Sequence, residues 1–232
     1  MINTFINETE VFEINENLSV TVDKIGSQDK KVVIIDNFYK HPEQVRNLAL
    51  TIPPTTNTRI RTHLPGPRIN AFYTLDHLGP VFDDIIKNVY PEWHMQFPRS
   101  HINNVFRDST FVVNIMHNKF LEPRTPHIDC PDPRAFAAMI YLNTPNECEG
   151  GTGFYTFDGH DSGTATTLYN NKDSEKLTQY IAGDAGDWKM YHHVDMKWNR
   201  MVLYQANIYH AAHITNDMYT DSTYRINQMF FI

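Results

Sequence analysis

Cysteine is almost missing from this chain: Cys130 and Cys148 are the whole complement, and they form no CxxC pair. A disulfide framework is therefore excluded as the organising device. No stretch approaches the roughly 18 uninterrupted apolar residues of a membrane-spanning helix. The opening MINTFINETEVFEINENLSV is too polar for a signal segment. These absences predict a cytoplasmic protein that meets no membrane. No run of five like charges occurs and the formal net charge is −7, which disfavours nucleic acid as a general partner. Internal repeats and low-complexity tracts are absent too. Acidic side chains are missing from one stretch, between Gln44 and Leu75, where Arg46, Arg59, Arg61 and Arg68 all fall. Such a stretch is either a solvated basic edge or a surface that meets an acidic substrate.

What is present suits one globular unit. The chain has 232 residues, 41% of them hydrophobic and 12% aromatic, enough for a substantial core. Residues 1–25 read as one or two exposed strands, with Val11, Phe12, Ile14, Leu18 and Val20 spaced for partial burial. KVVIIDNF, Lys31 to Phe38, reads as a buried strand. His41 to Leu50 reads as a helix with Pro42 in its first turn, and Leu78 to Tyr90 as a second one stopped by Pro91. Between them, Thr51 to Asn70 is rich in Pro and Thr and has no apolar period, so a long loop with a task, substrate contact, is expected. Strands are then predicted at Ser109 to Met116, Ala135 to Leu142, Gly153 to Phe157, Asp187 to Tyr191, Arg200 to Ile208 and Arg225 to Ile232, with a surface loop at Asn170 to Lys176. The expected class is α+β: residues 1–104 as a helical and strand support, and 105–232 as a β-rich core of the same single domain 1–232.

The chemistry lies in Pro126-His127-Ile128-Asp129. In extended chain, residues two apart face the same side, so His127 and Asp129 can converge on one ion. An imidazole and a carboxylate make two thirds of the facial triad of non-haem iron sites. The third ligand must come from a distant strand, and NRMVLYQANIYHAAH, Asn199 to His213, offers His210 and His213. These are three apart and face opposite ways if extended, so one of the two points inward. Cys130 beside Asp129 alternates away from such an ion and reads as a packed side chain. The glycines of GGTGF, Gly150 to Phe154, are followed by no Lys-Ser/Thr and so read as a tight turn or bulge, not a phosphate loop.

Taken in order, HID, IYLN, GGTGF, NRMVLY with His210 following, and Arg225 near the end resemble the prolyl-4-hydroxylase-like branch of the Fe(II)/2-oxoglutarate dioxygenases. The likeness extends to a phage and bacterial group with PGPR-like, GGTGF and LY-x5-H segments, which would put the chain in a host's cytoplasm if it is viral. It implies a double-stranded β-helix (jelly-roll) core buttressed by amino-terminal helices. The implied metal ligands are His127, Asp129 and His210, the distal histidine being chosen by the interval after a Gly-Arg-Leu-Val-Leu-Phe-like strand. Arg225 is implied as the anchor of the distal carboxylate of 2-oxoglutarate, and Tyr141 as a neighbour of that co-substrate. An arginine on an otherwise apolar strand needs a partner in any case. The implied activity is a hydroxylase using Fe(II), 2-oxoglutarate and O2, with ascorbate as an accessory reductant and a peptide, protein or small molecule as substrate. The pattern is not followed throughout. His117 stands where relatives often carry a tyrosine, and the interval to Arg225 implies an insertion at Thr215 to Thr223. Three other readings stay open: a zinc hydrolase, a catalytically silent metal-binding barrel, and an oxygenase acting on a nucleobase.

Overall fold

Strand β5 (Phe136–Tyr141) shows how the layers are built, because all six of its residues are buried. Its alternate side chains serve two different cores. Phe136, Ala138 and Ile140 join one hydrophobic cluster; Ala137, Met139 and Tyr141 join another on the opposite face. A strand covered on both faces carries a continuous apolar run, and AFAAMIYL is such a run.

The computed structural model describes residues 7–27, 30–51, 68–72, 76–91, 110–118, 125–163, 180–220 and 223–232. The architecture is mixed α and β, mostly antiparallel sheet with a few helices. A short helix α1 (Glu8–Val11) precedes β1 (Ser19–Ile25) and β2 (Lys30–Asp36), followed by α2 (Pro42–Thr51), β3 (Arg68–Phe72), α3 (Gly79–Val89) and β4 (Thr110–Met116). After β5 come β6 (Gly151–Phe157), β7 (Trp188–Asp195), β8 (Met201–Gln205), β9 (His210–His213) and β10 (Arg225–Phe231). Seven strands form one sheet in the order β1-β2-β8-β5-β10-β4-β3, and three form a second in the order β7-β6-β9. Strands from the amino-terminal part thus extend the same sheet as the carboxy-terminal ones, β2 pairing with β8 and β3 with β4.

Helices α2 and α3 cover one face of the large sheet. Val45 and Ala49 of α2, and Phe82 and Ile86 of α3, recur at the four-residue interval of a helix face and are buried against Val33, Ile35, Ala138 and Leu203. The small sheet covers the other face. Phe154 of β6 and Val194 of β7 meet Met139, Tyr141, Val202 and Tyr204 of the large sheet there.

Three expectations are corrected. The first residues are not simply exposed strands: α1 leads into Phe12, which is fully buried with its ring 6.0 Å from that of Tyr39. Val20, expected half-buried, is 51% exposed because β1 is an edge strand. The loop expected over Thr51 to Asn70 is shorter, since Thr51 ends α2 and Arg68 opens β3; residues 52–67 lie outside the described residues, as does the loop expected at Asn170 to Lys176. RINAF is too short to show a period, and pairing with β4 makes it a strand. Third, the strand expected over Arg200 to Ile208 ends at Gln205, and the HAAH segment forms a separate strand because it is paired with β6. Among the described residues no helix is long and apolar enough to cross a membrane.

The turn before β8 is fastened by Asn199, which takes a left-handed φ of 59°. Its Oδ1 accepts from the Tyr39 N–H at 2.8 Å and its Nδ2 donates to the Tyr39 carbonyl at 2.8 Å. Orphaning a buried polar group costs about 1–3 kcal/mol. Asn199→Ala orphans two and adds backbone strain, so urea unfolding should show a loss on the order of 3 kcal/mol at unchanged slope. A loss below about 1 kcal/mol would mean that the side chain is dispensable.

Candidate metal centre

Two reciprocal backbone hydrogen bonds, His127 N–H to His210 C=O and His210 N–H to His127 C=O, both 2.9 Å, tie the HID segment to the start of β9. Residues paired in this way present their side chains on one face. The two imidazole rings accordingly lie 4.6 Å apart at 43°. Strand alternation then turns Ile128 outward, where it packs with Tyr155, Tyr209 and Ala211, and returns Asp129 to the side of the histidines. The Asp129 N–H donates to the Ala206 carbonyl at 2.9 Å, which fixes the end of the segment.

The carboxylate bridges the imidazoles: Asp129 Oδ1 lies 3.5 Å from His127 Nε2, and Oδ2 lies 3.2 Å from His210 Nε2. The ligating atoms of His127, Asp129 and His210 all fall within 4.8 Å of one another. His210 Nδ1 is 2.9 Å from the Ile208 carbonyl, which can only accept. Nδ1 therefore donates to Ile208, and Nε2, which faces Asp129, is the nitrogen that would bind an ion on giving up its proton. Burial alone would raise the Asp129 carboxyl, but the charge of His210 and hydrogen bonds from both imidazoles outweigh it and hold the group far below the usual carboxylate range. Side-chain exposure falls from 32% at His127 to 14% at Asp129 and 5% at His210, so the approach lies on the His127 side. Two imidazoles and one carboxylate on one side of an ion leave its other side free for further ligands.

Alternation along β9 separates the two candidate histidines. Ile208 and Ala212 face the core between the sheets, Tyr209 and Ala211 face away, and His213 follows the outward set. Its Nδ1 lies 3.0 Å from His193 Nε2, while His193 Nδ1 is 3.1 Å from Asp195 Oδ1. Burial lowers both imidazoles, and the proximity of His213 lowers His193 further. Cys130 takes no part in the ligand group and packs at the edge of the inter-sheet core.

Arg225 opens β10 and is 2% exposed. Nη1 donates to Asn227 Oδ1 at 2.7 Å, and Nη2 lies 3.5 Å from the Gly151 carbonyl; Nε has no partner. The sulfurs of Met116 and Met139 lie at 4.0 and 3.8 Å, and the Tyr141 ring centroid at 5.6 Å. Among the described residues no carboxylate pairs with this guanidinium. Tyr141 is fully buried and its hydroxyl is 2.7 Å from Thr152 Oγ1. Gly151 lies against β7 at a distance that only glycine allows: at its φ of 156° a Cβ would sit 2.0 Å from the Val194 carbonyl oxygen. The glycines of GGTGF thus serve close backbone approach, and the bulge in this sheet lies further along, between Phe154 and Tyr155.

Three participants escape the sequence. Asn227 and Thr152 are the polar partners of Arg225 and Tyr141, and Tyr204 packs its ring 4.8 Å from that of His210. A polar residue two positions after Arg225 on an apolar strand was the available signal for Asn227. Met116 is the residue beside Arg225, and the His117 ring lies 5.3 Å from that of Tyr224. The expected insertion folds inward, with Asn118 Nδ2 donating to the Thr215 and Met218 carbonyls at 3.0 and 3.1 Å and Tyr219 hydroxyl donating to that of Glu149 at 2.6 Å. Arg46 is spent on structure, donating to the Leu142 carbonyl at 2.6 Å and pairing with Glu147 at 3.0 Å. Arg59 and Arg61 lie outside the described residues.

Loss of His127, Asp129 or His210 to Ala should each abolish the rise in melting temperature given by Mn(II) or Fe(II), whereas His213→Ala should retain it. Protons compete for the imidazole nitrogens, so metal affinity should fall on acidification. A metal-induced shift that disappears in the His213 variant, and survives in the His210 variant, would relocate the centre.

None of the curated proteins compared matches the chain. Among solved structures it is similar to the crystal structure of EvdMO1, with 11% identity and a TM-score of 0.32 over 93% of this chain and 55% of that one. The chain therefore spans little more than half of that neighbour. The profile of a family of unknown function, DUF6445, matches residues 16–225, and the chain belongs to that family.

Proposed function

We propose that this protein is an Fe(II)- and 2-oxoglutarate-dependent oxygenase that hydroxylates a residue of a peptide or protein. The observation that carries the reading is a buried arginine without a counter-ion. Arg225 is buried beside Met116, Met139 and Tyr141, which belong to the core between the sheets. Tyr204, whose ring lies 4.8 Å from that of His210, belongs to the same core. Burying a cation is expensive unless a partner is supplied, and a dicarboxylate ligand would supply one.

The donor set fits iron(II), whose sites commonly take two imidazoles and a carboxylate with adjacent positions left open. When bound there, iron(II) with 2-oxoglutarate and O2 provides the oxidising chemistry, releasing succinate and CO2 as a substrate C–H bond is hydroxylated. The chain's own share is placement. Asp129 contributes the charge that retains a divalent ion, and Ile208 sets the His210 tautomer through its carbonyl. Arg225, its fork held by Asn227, receives the carboxylate remote from the ion. Fully buried Phe154, Val202 and Tyr204 keep water from the interior. The two facing antiparallel sheets, the smaller one extended by the His127–His210 bridge, support a double-stranded β-helix reading of the core.

Zinc-dependent hydrolysis would need the triad but gives the unpaired arginine no task. A silent metal-binding barrel would have no use for either the open side of the triad or the buried cation. Nucleobase modification loses part of its support now that Arg46 is committed to Glu147.

Anaerobic addition of Fe(II) and 2-oxoglutarate should produce a weak visible charge-transfer band in the wild type. It should vanish in His127→Ala and His210→Ala and persist in His213→Ala. Arg225→Gln should raise the 2-oxoglutarate dissociation constant at least about tenfold, as expected when a bidentate charged contact is lost, with metal affinity unchanged. A wild type without the band and without 2-oxoglutarate-dependent succinate release would end the proposal.

A further inference from the structure

We infer that His193 and His213 form a second metal site, a two-imidazole seat for Zn(II) on the outer face of the small sheet. The inference stands apart from the oxygenase reading, since neither residue belongs to the triad. His193 lies on β7 and His213 ends β9, with β6 between them. Register sets Gly151 opposite His213 on one side of β6 and Gly153 opposite His193 on the other. Alternation turns Thr152 inward to Tyr141, so the outward positions of β6 are the two glycines. With no side chain at 151, the imidazoles reach each other across the strand. Their ring centroids lie 4.6 Å apart at 83°, and His213 Nδ1 is 3.0 Å from His193 Nε2. A Cβ on Gly151 would crowd that same His193 Nε2 at 3.0 Å.

The hydrogen bonds around the pair are those of a ligand with its support. Asp195 Oδ1 lies 3.1 Å from His193 Nδ1. A carboxylate only accepts, so His193 donates there and turns the lone pair of Nε2 toward His213. A ligating histidine almost always gives its other N–H to a carboxylate or carbonyl in this way. Asp195 therefore stands behind His193 and is not itself a ligand. In the present pairing His213 Nδ1 donates to His193 Nε2. A neutral imidazole can carry its proton on Nε2 instead, which frees His213 Nδ1 with no net release of protons. Two nitrogens 3.0 Å apart, each about 2.0–2.1 Å from a zinc ion, subtend an angle of about 95°. A slight opening of the rings brings that angle to the tetrahedral value.

The His193 side chain is 24% exposed and that of Asp195 84%, so the seat opens to solvent and water can complete the coordination. Burial lowers both imidazoles, which leaves them neutral at neutral pH and suited to an ion. Two imidazoles with no carboxylate in contact suit zinc. Manganese(II) and iron(II) stand lower in the order of affinities and need the charge of the triad. A bound ion would clamp β7 to β9 over Gly151, whose carbonyl lies 3.5 Å from Arg225 Nη2. The second site would thus brace the backbone behind the buried guanidinium.

The test removes the first centre and asks what remains. Zn(II) is titrated against a chromophoric chelator into a His127→Ala/His210→Ala variant, which lacks both imidazoles of the triad. One equivalent should bind and raise the melting temperature. Adding His193→Ala or His213→Ala should weaken that binding at least about tenfold, and adding Asp195→Ala about tenfold, the usual cost of losing a ligand's support. The intact chain supplies a second reading that does not depend on the folding of the double variant. It should bind two equivalents of Zn(II), one of which His213→Ala removes. The same substitution should leave Mn(II) affinity within about twofold, because that ion belongs to the triad. The inference is overturned by a folded double variant that binds no Zn(II), or by Zn(II) binding in either protein that His213→Ala leaves unaltered.

Discussion

The centre depends on one backbone pairing, the two 2.9 Å hydrogen bonds exchanged between His127 and His210. Each residue belongs to a segment that could otherwise lie anywhere, and no side-chain contact would fix their relative register so tightly. Once the pair is made, alternation decides the rest. Asp129 must return to the histidine side and Ile128 must leave it, while His213 must face away from His210. A slip of one residue at this bridge would turn the ligands outward, as it would in any strand pairing. The outward neighbours oppose such a slip, since Ile128, Tyr209 and Ala211 are packed with Trp188 and Tyr155 in a small core of their own.

That pairing also explains why the site could be read from the sequence. The HxD spacing and the three-residue interval between His210 and His213 are consequences of strand periodicity, so extended chain was enough to constrain them. The arginine was legible for a different reason: a charge amid INQMFFI is conspicuous whatever the fold. β5 and β8 were legible because both of their faces are buried, which writes an unbroken apolar run into the sequence. β3 and β9 were harder. Each is short and takes its state from a partner strand, β4 or β6, that a local window cannot see.

The residues that escaped share a property: their roles are relational. Nothing about Thr152 marks it until Tyr141 is placed opposite, and Tyr204 reads as one more aromatic in a core strand until His210 is found against its ring. Asn199 is similar, since its left-handed backbone and its two bonds to Tyr39 matter only because β2 and the turn before β8 meet there. The segment from Thr215 to Tyr219 looked like an inserted surface turn. Asn118 and Glu149 draw it in, so that Tyr219 becomes 2% exposed and part of the inter-sheet core. Polar residues in turns carry this information, and hydrophobic patterning is blind to it.

The way Arg225 is buried bears on how the site and the fold share free energy. Its neighbours are an amide oxygen, a distant carbonyl, two thioether sulfurs and a phenol ring. Each is weakly attractive to a cation, and none neutralises it. The set is good enough to keep the guanidinium in place and too poor to offset its dehydration fully. A carboxylate of a salt-bridging residue would stabilise the fold more, but it would also occupy the fork. Leaving the cation with neutral partners keeps a portion of its interaction energy unused, and an anionic ligand of the proposed kind would draw on it. Binding and folding are thereby linked, because a ligand that favours the folded state stabilises it by mass action. The same logic applies at the triad, where Asp129 lies 3.5 and 3.2 Å from two imidazoles that a divalent ion would take over. A buried guanidinium whose partners among the described residues are all neutral is costly to the fold, and that cost is the reason the oxygenase proposal assigns it an anionic ligand.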